Sequence, residues 1–235
     1  MIAGVIFCPH PPLLAPDRAC GAAPETAGLR AACTSALASL AALGPDQVVV
    51  IGSSQRTRVR APMPSGSLAG YGLAQDFVLG SPDGGPVDDL PLSLTIGSLL
   101  VAEQFGPGSG AIGVEVGPDF GAQPAARELA ELARSGRLGL VVMGDGSARR
   151  STRAPGYLDE RAVPFDDAVA EILRAGDGQA LADLSEPLGA ELLAEGVPAW
   201  RATGALVGGQ PMSARLLYAE APYGVSYFVA AWIPR

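Results

Sequence analysis

The sequence contains no lysine and one histidine, His10, so all 16 basic residues are arginine. Without lysine there is no Schiff-base nucleophile, no phosphate-loop lysine of the Walker type and no serine–lysine dyad. With a single imidazole, a two-histidine metal site cannot form within one chain. Charge is scarce too, at 17% of residues against a typical ~25%. Nothing approaches the run of ~18 apolar residues that a membrane span needs. The start, MIAGVIFCPHPP, lacks the positively charged lead of an export signal. Cysteines number three, and Cys8, Cys20 and Cys33 are widely spaced. That odd set argues for reduced thiols rather than a disulfide framework. These absences together predict a cytoplasmic protein without a membrane span.

The 235 residues, 48% hydrophobic, are enough to bury a substantial core. No internal repeat or long linker divides them, so a single domain over 1–235 is expected. The 31 glycines and 21 prolines imply a loop-rich surface. A net charge of −8 argues against a nucleic-acid or anionic-membrane partner, because phosphates repel such a surface. Arg56, Arg58 and Arg60 alternate along an extended stretch and read as a solvated strand edge.

Short β-runs alternate with alanine- and leucine-rich helical stretches. Ile2–Cys8 reads as a buried strand stopped by Pro9, Pro11 and Pro12. Glu25–Leu43 has helical spacing and ends at Gly44-Pro45. Val48–Ile51 is a β-branched run without polar alternation, the pattern of a strand covered on both faces. Strand, helix and strand in this order predict an α/β, three-layer domain with a mostly parallel central sheet. Residues 60–91 form an irregular excursion with one strand-like run at 77–79. Further on, helices are expected over 92–103, 124–135, 165–175, 180–184 and 187–195. Strands are expected over 110–116, 138–143 and 224–232, and Trp200–Leu206 is another apolar run.

Ligands of open α/β sheets bind beyond the carboxyl ends of the strands. Three such ends carry polar chemistry: Cys8-Pro9-His10, Gly52-Ser53-Ser54-Gln55 and Gly144-Asp145-Gly146-Ser147. Parallel packing would bring them to one rim. The expected small-molecule pocket is Cys8, His10, Ser54, Gln55, Asp145, Ser147, Ala148 and Tyr223, with Asp145 and Ser147 as candidate catalytic groups. Glycines 144 and 146 make no dinucleotide fingerprint, since no glycine follows at 149. Asp166 and Asp167 read as first-turn residues of a helix, where carboxylates favour the dipole.

The ordered set FCPHPPLL at 7–14, VVVIGSSQ at 48–55, VVMGDGSA at 141–148 and LYAEAPYGVSYFVAAW at 217–232 resembles the class III extradiol ring-cleavage dioxygenases, B-subunit family. That superfamily also includes the Memo-like proteins. The resemblance runs nearly end to end and implies a ferrous site of two histidines and one carboxylate, with a further histidine as acid–base catalyst. On that pattern His10 matches the first metal histidine. Gln55 stands in place of the second, Ala148 in place of the acid–base histidine, and Glu220 is nearest to the carboxylate. An amide is a poor ligand for ferrous iron and alanine transfers no proton, so ring cleavage is not expected. Three readings stay open. The chain binds a small molecule or regulates without catalysis. Alternatively, it is a metal-dependent oxidoreductase or hydrolase holding Fe(II) or zinc on His10, Cys8 and Asp145 or Glu220. The third is an interaction module with a vestigial pocket. The resemblance also implies a homodimer.

Overall fold

The computed structural model describes residues 1–15, 23–60, 66–71, 76–77, 90–117 and 124–235. Cys20 and much of the excursion over 60–91 lie outside them. The elements run β1 (Ile2–Cys8), α1 (Ala23–Ala42), β2 (Gln47–Ser53), β3 (Arg58–Arg60), β4 (Gly66–Ser67) and β5 (Asp76–Phe77). Next come α2 (Leu92–Phe105), β6 (Ile112–Val116), α3 (Pro124–Ser135), β7 (Leu138–Met143) and α4 (Ala162–Ala175). The chain ends with α5 (Gly178–Ala182), α6 (Glu186–Glu191), α7 (Val197–Val207), β8 (Met212–Glu220) and β9 (Tyr227–Pro234).

Seven strands form one sheet in the order β3-β6-β2-β7-β1-β9-β8. The four central strands β6, β2, β7 and β1 are mutually parallel. Strands β3 and β9 run against them, and β8, antiparallel to β9, regains the common direction. The sheet is therefore mostly parallel, as the buried apolar runs require. Its pleat divides the core. Val5, Phe7, Val49 and Ile51 face a layer built by α3, α4 and α7. Ile6, Cys8, Val48 and Val50 face the layer of α1 and α2. Phe7 meets Trp232 edge-to-face at 4.8 Å, and the buried Trp232 indole donates to the Leu173 carbonyl at 2.7 Å. The expected three-layer α/β architecture is the one observed. Among the described residues no helix is long and apolar enough to cross a membrane.

Three local expectations are corrected, and one strand was not foreseen. The helix expected over 187–195 is only Glu186–Glu191, and Leu193 takes a left-handed turn at φ 54°, which releases Glu195 from the helix. The stretch Met212–Glu220 is a strand that no clear alternation announces. The expected arginine-bearing edge strand is present as β3, but Arg60 is not solvated. It is buried, and its Nε lies 2.7 Å from the buried Glu115 carboxylate. Asp166 lies in the second turn of α4 and points inward rather than capping the first turn.

Candidate functional site

Because β1, β7 and β2 are parallel neighbours, Cys8 pairs with Met143 and Met143 with Gly52. The three polar strand ends therefore meet at one rim, as the strand-end rule requires. Gly144 N–H donates to the Cys8 carbonyl at 2.9 Å, closing the β7 end onto β1. A Cβ on Gly144 would lie 2.5 Å from Gly196 Cα and 2.7 Å from Trp200 Nε1. Only glycine lets the α7 entry come this close. That approach carries Gly196, whose N–H donates to the Asp145 carbonyl at 2.9 Å.

The resulting cleft has a volume of about 440 Å³, within the usual range for small-molecule sites. Its floor is His10, Ser53, Ser54 and Gln55, and its walls are the start of α2 and the segment from α6 into α7. Ser53 ties both walls down. Its carbonyl accepts from Ser93 Oγ at 3.2 Å and its hydroxyl accepts from Ala199 N–H at 3.2 Å. Ser54 Oγ donates to Glu115 at 2.9 Å, joining the floor to the buried Arg60–Glu115 pair.

His10 is the centre of the electrostatics, with a side chain only 3% exposed. Its backbone N–H donates to Asp145 Oδ1 at 2.8 Å. Its Nε2 lies 3.2 Å from Glu195 Oε2. Its Nδ1 is 3.5 Å from Asp145 Oδ1, and within the described residues it has no hydrogen-bond partner. Burial opposes the charged imidazole, but Asp145 and Glu195 outweigh it and hold His10 above its ordinary value. Burial pushes the Asp145 carboxyl up despite His10 beside it. The hydrogen bond from His10 pulls Glu195 down.

The sign follows from linkage. A raised histidine stabilises the fold fully below the unfolded value of ~6.5, and that contribution is lost as pH rises through the folded value. The chain has one histidine, so its imidazole resonance needs no assignment. An NMR titration is expected to give a midpoint above ~6.5, and Glu195→Gln should lower it. A wild-type midpoint at or below that value would contradict the geometry.

The expected site residues separate clearly. His10, Ser54 and Gln55 line the cleft, and Asp145 backs His10. Cys8 does not. It is buried inside the layer of α1, in contact with Cys33, where that contact and burial push its thiol well up. Ser147 is fully buried with its hydroxyl donating to the Leu192 carbonyl at 2.8 Å, so it is no nucleophile. Ala148 lies off the cleft, its N–H on Leu192 and its carbonyl on Gly156. Tyr223 bonds Glu25 of α1. Glu220 is exposed at the end of β8, 3.3 Å from the Tyr218 hydroxyl. The sequence reading missed Glu195 and Glu186, which both line the cleft.

Iron or zinc fits these donors poorly. Cys8 and Glu220 are directed elsewhere, and among the described residues no group of three or more His, Cys, Asp or Glu side chains is placed to hold a metal.

No protein-family profile matches the chain, and no curated protein matches it. Among solved structures it is similar to the uncharacterized protein JW3007 from Escherichia coli K12. The two share 18% identity with a TM-score of 0.52, over 98% of this chain and 99% of that one. This likeness is one of fold.

Proposed function

We propose that this chain binds a small molecule in the His10 cleft, as a binding or regulatory protein on a dioxygenase-like scaffold without ring-cleavage chemistry. The supporting observation is the cleft floor. His10 faces a cavity of about 440 Å³ beside Gln55, where the resemblance would have a second metal-binding imidazole. With one histidine in the sequence, no further imidazole can join His10 to hold ferrous iron or to act as acid–base catalyst. What remains is a bounded, mostly apolar space with a few fixed polar groups, the usual anatomy of a small-ligand site. A homodimer is part of the same reading.

The test pairs binding with chemistry. Purified protein given ferrous iron, oxygen and a catechol panel is expected to show no ring-cleavage absorbance above a blank. A small-molecule screen followed by calorimetry should find saturable binding that Ala190→Trp, placed on the exposed α6 wall of the cleft, removes. Iron-dependent, saturable turnover of a catechol would overturn the proposal.

A further inference from the structure

The ionisable groups lining the cleft are His10, Glu186 and Glu195, with no arginine among the described lining residues. The start of α7, which could otherwise attract an anion, has used its donors. Val197 N–H bonds Ala194, Ala199 N–H bonds Ser53 Oγ, Trp200 N–H bonds Gly196, and Pro198 has none. The ionisable side chains on the cleft are therefore mostly acidic, set against apolar walls such as Leu92, Leu193 and Val197.

The link between His10 and Glu195 joins unlike environments. The imidazole is 3% exposed and the glutamate side chain 72% exposed, at 3.2 Å. If Nε2 carries the proton toward Glu195, a neutral ring leaves Nδ1 as a bare acceptor 3.5 Å from the Asp145 carboxylate. Two acceptors facing each other repel, so the observed arrangement suits the doubly protonated ring. The neutral ring fits best the other way round, with Nδ1–H toward Asp145 and Nε2 a free acceptor on the cleft. Asp145 and Glu195 are the charged groups against it, Glu186 lies on the cleft wall, and Tyr227 of β9 is close enough to sense Asp145.

Resting on the small-molecule reading above, we propose that the ligand is a small organic cation, an amine on an apolar body, that takes Glu195 from His10 with release of one proton. The ammonium pairs with Glu195 and donates into His10 Nε2. The proton leaving Nε2 goes to solvent and Nδ1–H turns to Asp145. Charge balances: one ligand cation enters and one proton departs.

Calorimetry on the full chain tests this with benzylamine and phenethylamine against their neutral counterparts, benzyl alcohol and 2-phenylethanol. Runs between pH 5.5 and 8.5, in two buffers of different ionisation enthalpy, count the protons. The amines are expected to bind about tenfold or more tighter than the alcohols at pH 8. Below the His10 midpoint, affinity should fall by up to about tenfold per pH unit, with close to one proton released. Glu195→Gln should abolish both the preference and the proton release, whereas Glu131→Gln, an exposed position on α3, should change neither. Equal affinity for amines and alcohols overturns the cation assignment and leaves the small-molecule reading standing. Failure of both sets to bind also overturns the cation assignment, while the screen above decides the small-molecule reading separately.

Discussion

Asp166→Ala is expected to destabilise the fold by about 3–5 kcal/mol, the cost typical of removing one partner from a buried charged pair. The carboxylate is 1% exposed and accepts three bonds. Ser147 N–H reaches Oδ1 at 2.9 Å, while Ser226 Oγ at 2.6 Å and Arg150 Nη1 at 3.1 Å reach Oδ2. Alanine would strand a fully buried N–H, a buried hydroxyl and a guanidinium that is only 24% exposed. Orphaned buried donors each cost about 1–3 kcal/mol, and the losses overlap because the groups share one site. Asn keeps a carbonyl for the Ser147 N–H and should cost about 1–2 kcal/mol. Urea unfolding decides the order. A cost for alanine no larger than that for asparagine would mean water replaces the carboxylate freely, against the burial observed.

That network also explains which parts of the site could be read in the sequence. The buried strands were legible because runs such as Val48–Ile51 and Leu138–Met143 are apolar on both faces. Strand ends then put His10, Gln55 and Asp145 near one another, since parallel neighbours must deliver their carboxyl ends to one rim. Within a loop the rule fails. After Asp145, Gly146 N–H bonds the Ser226 carbonyl at 2.8 Å and draws the chain toward β9. Ser147 and Ala148 are thus carried into the protein. Cys8 failed for a related reason. Alternation holds only inside a strand, β1 ends at Cys8, and the prolines that follow re-aim the backbone before His10.

Glu195 was illegible because its partner lies 185 positions away and a helical pattern of alanine and leucine runs up to it. A local signal did exist, since Gly196-Val197-Pro198 is a helix-start pattern that demands a break before it. The strand β8 hid because, among the described residues, it pairs with β9 alone and alternates buried and half-exposed residues irregularly. In each case tertiary pairing, not local preference, made the decision.

Trp200→Ala is expected to cost about 3–5 kcal/mol, as large aromatic truncations in a packed core do, and to weaken ligand binding beyond what unfolding explains. The indole is 1% exposed and meets Phe228 edge-to-face at 6.0 Å. It also fills the space that Gly144 and Gly196 leave open, where the β7 end meets the start of α7. Removing it lets that helix start settle toward the sheet. Val197 and Pro198, which form a wall of the cleft, would move with it. For a chain of this size the melting temperature should drop by roughly 10 °C. At a temperature where the variant stays folded, affinity for any cleft ligand should fall about tenfold, roughly 1.4 kcal/mol. Trp200→Phe keeps an aromatic body against Phe228 and should show the smaller share of both effects. If alanine lowers the melting temperature while affinity holds, the α7 wall is positioned by the Ser53–Ala199 and Asp145–Gly196 bonds alone, and the indole contributes only stability.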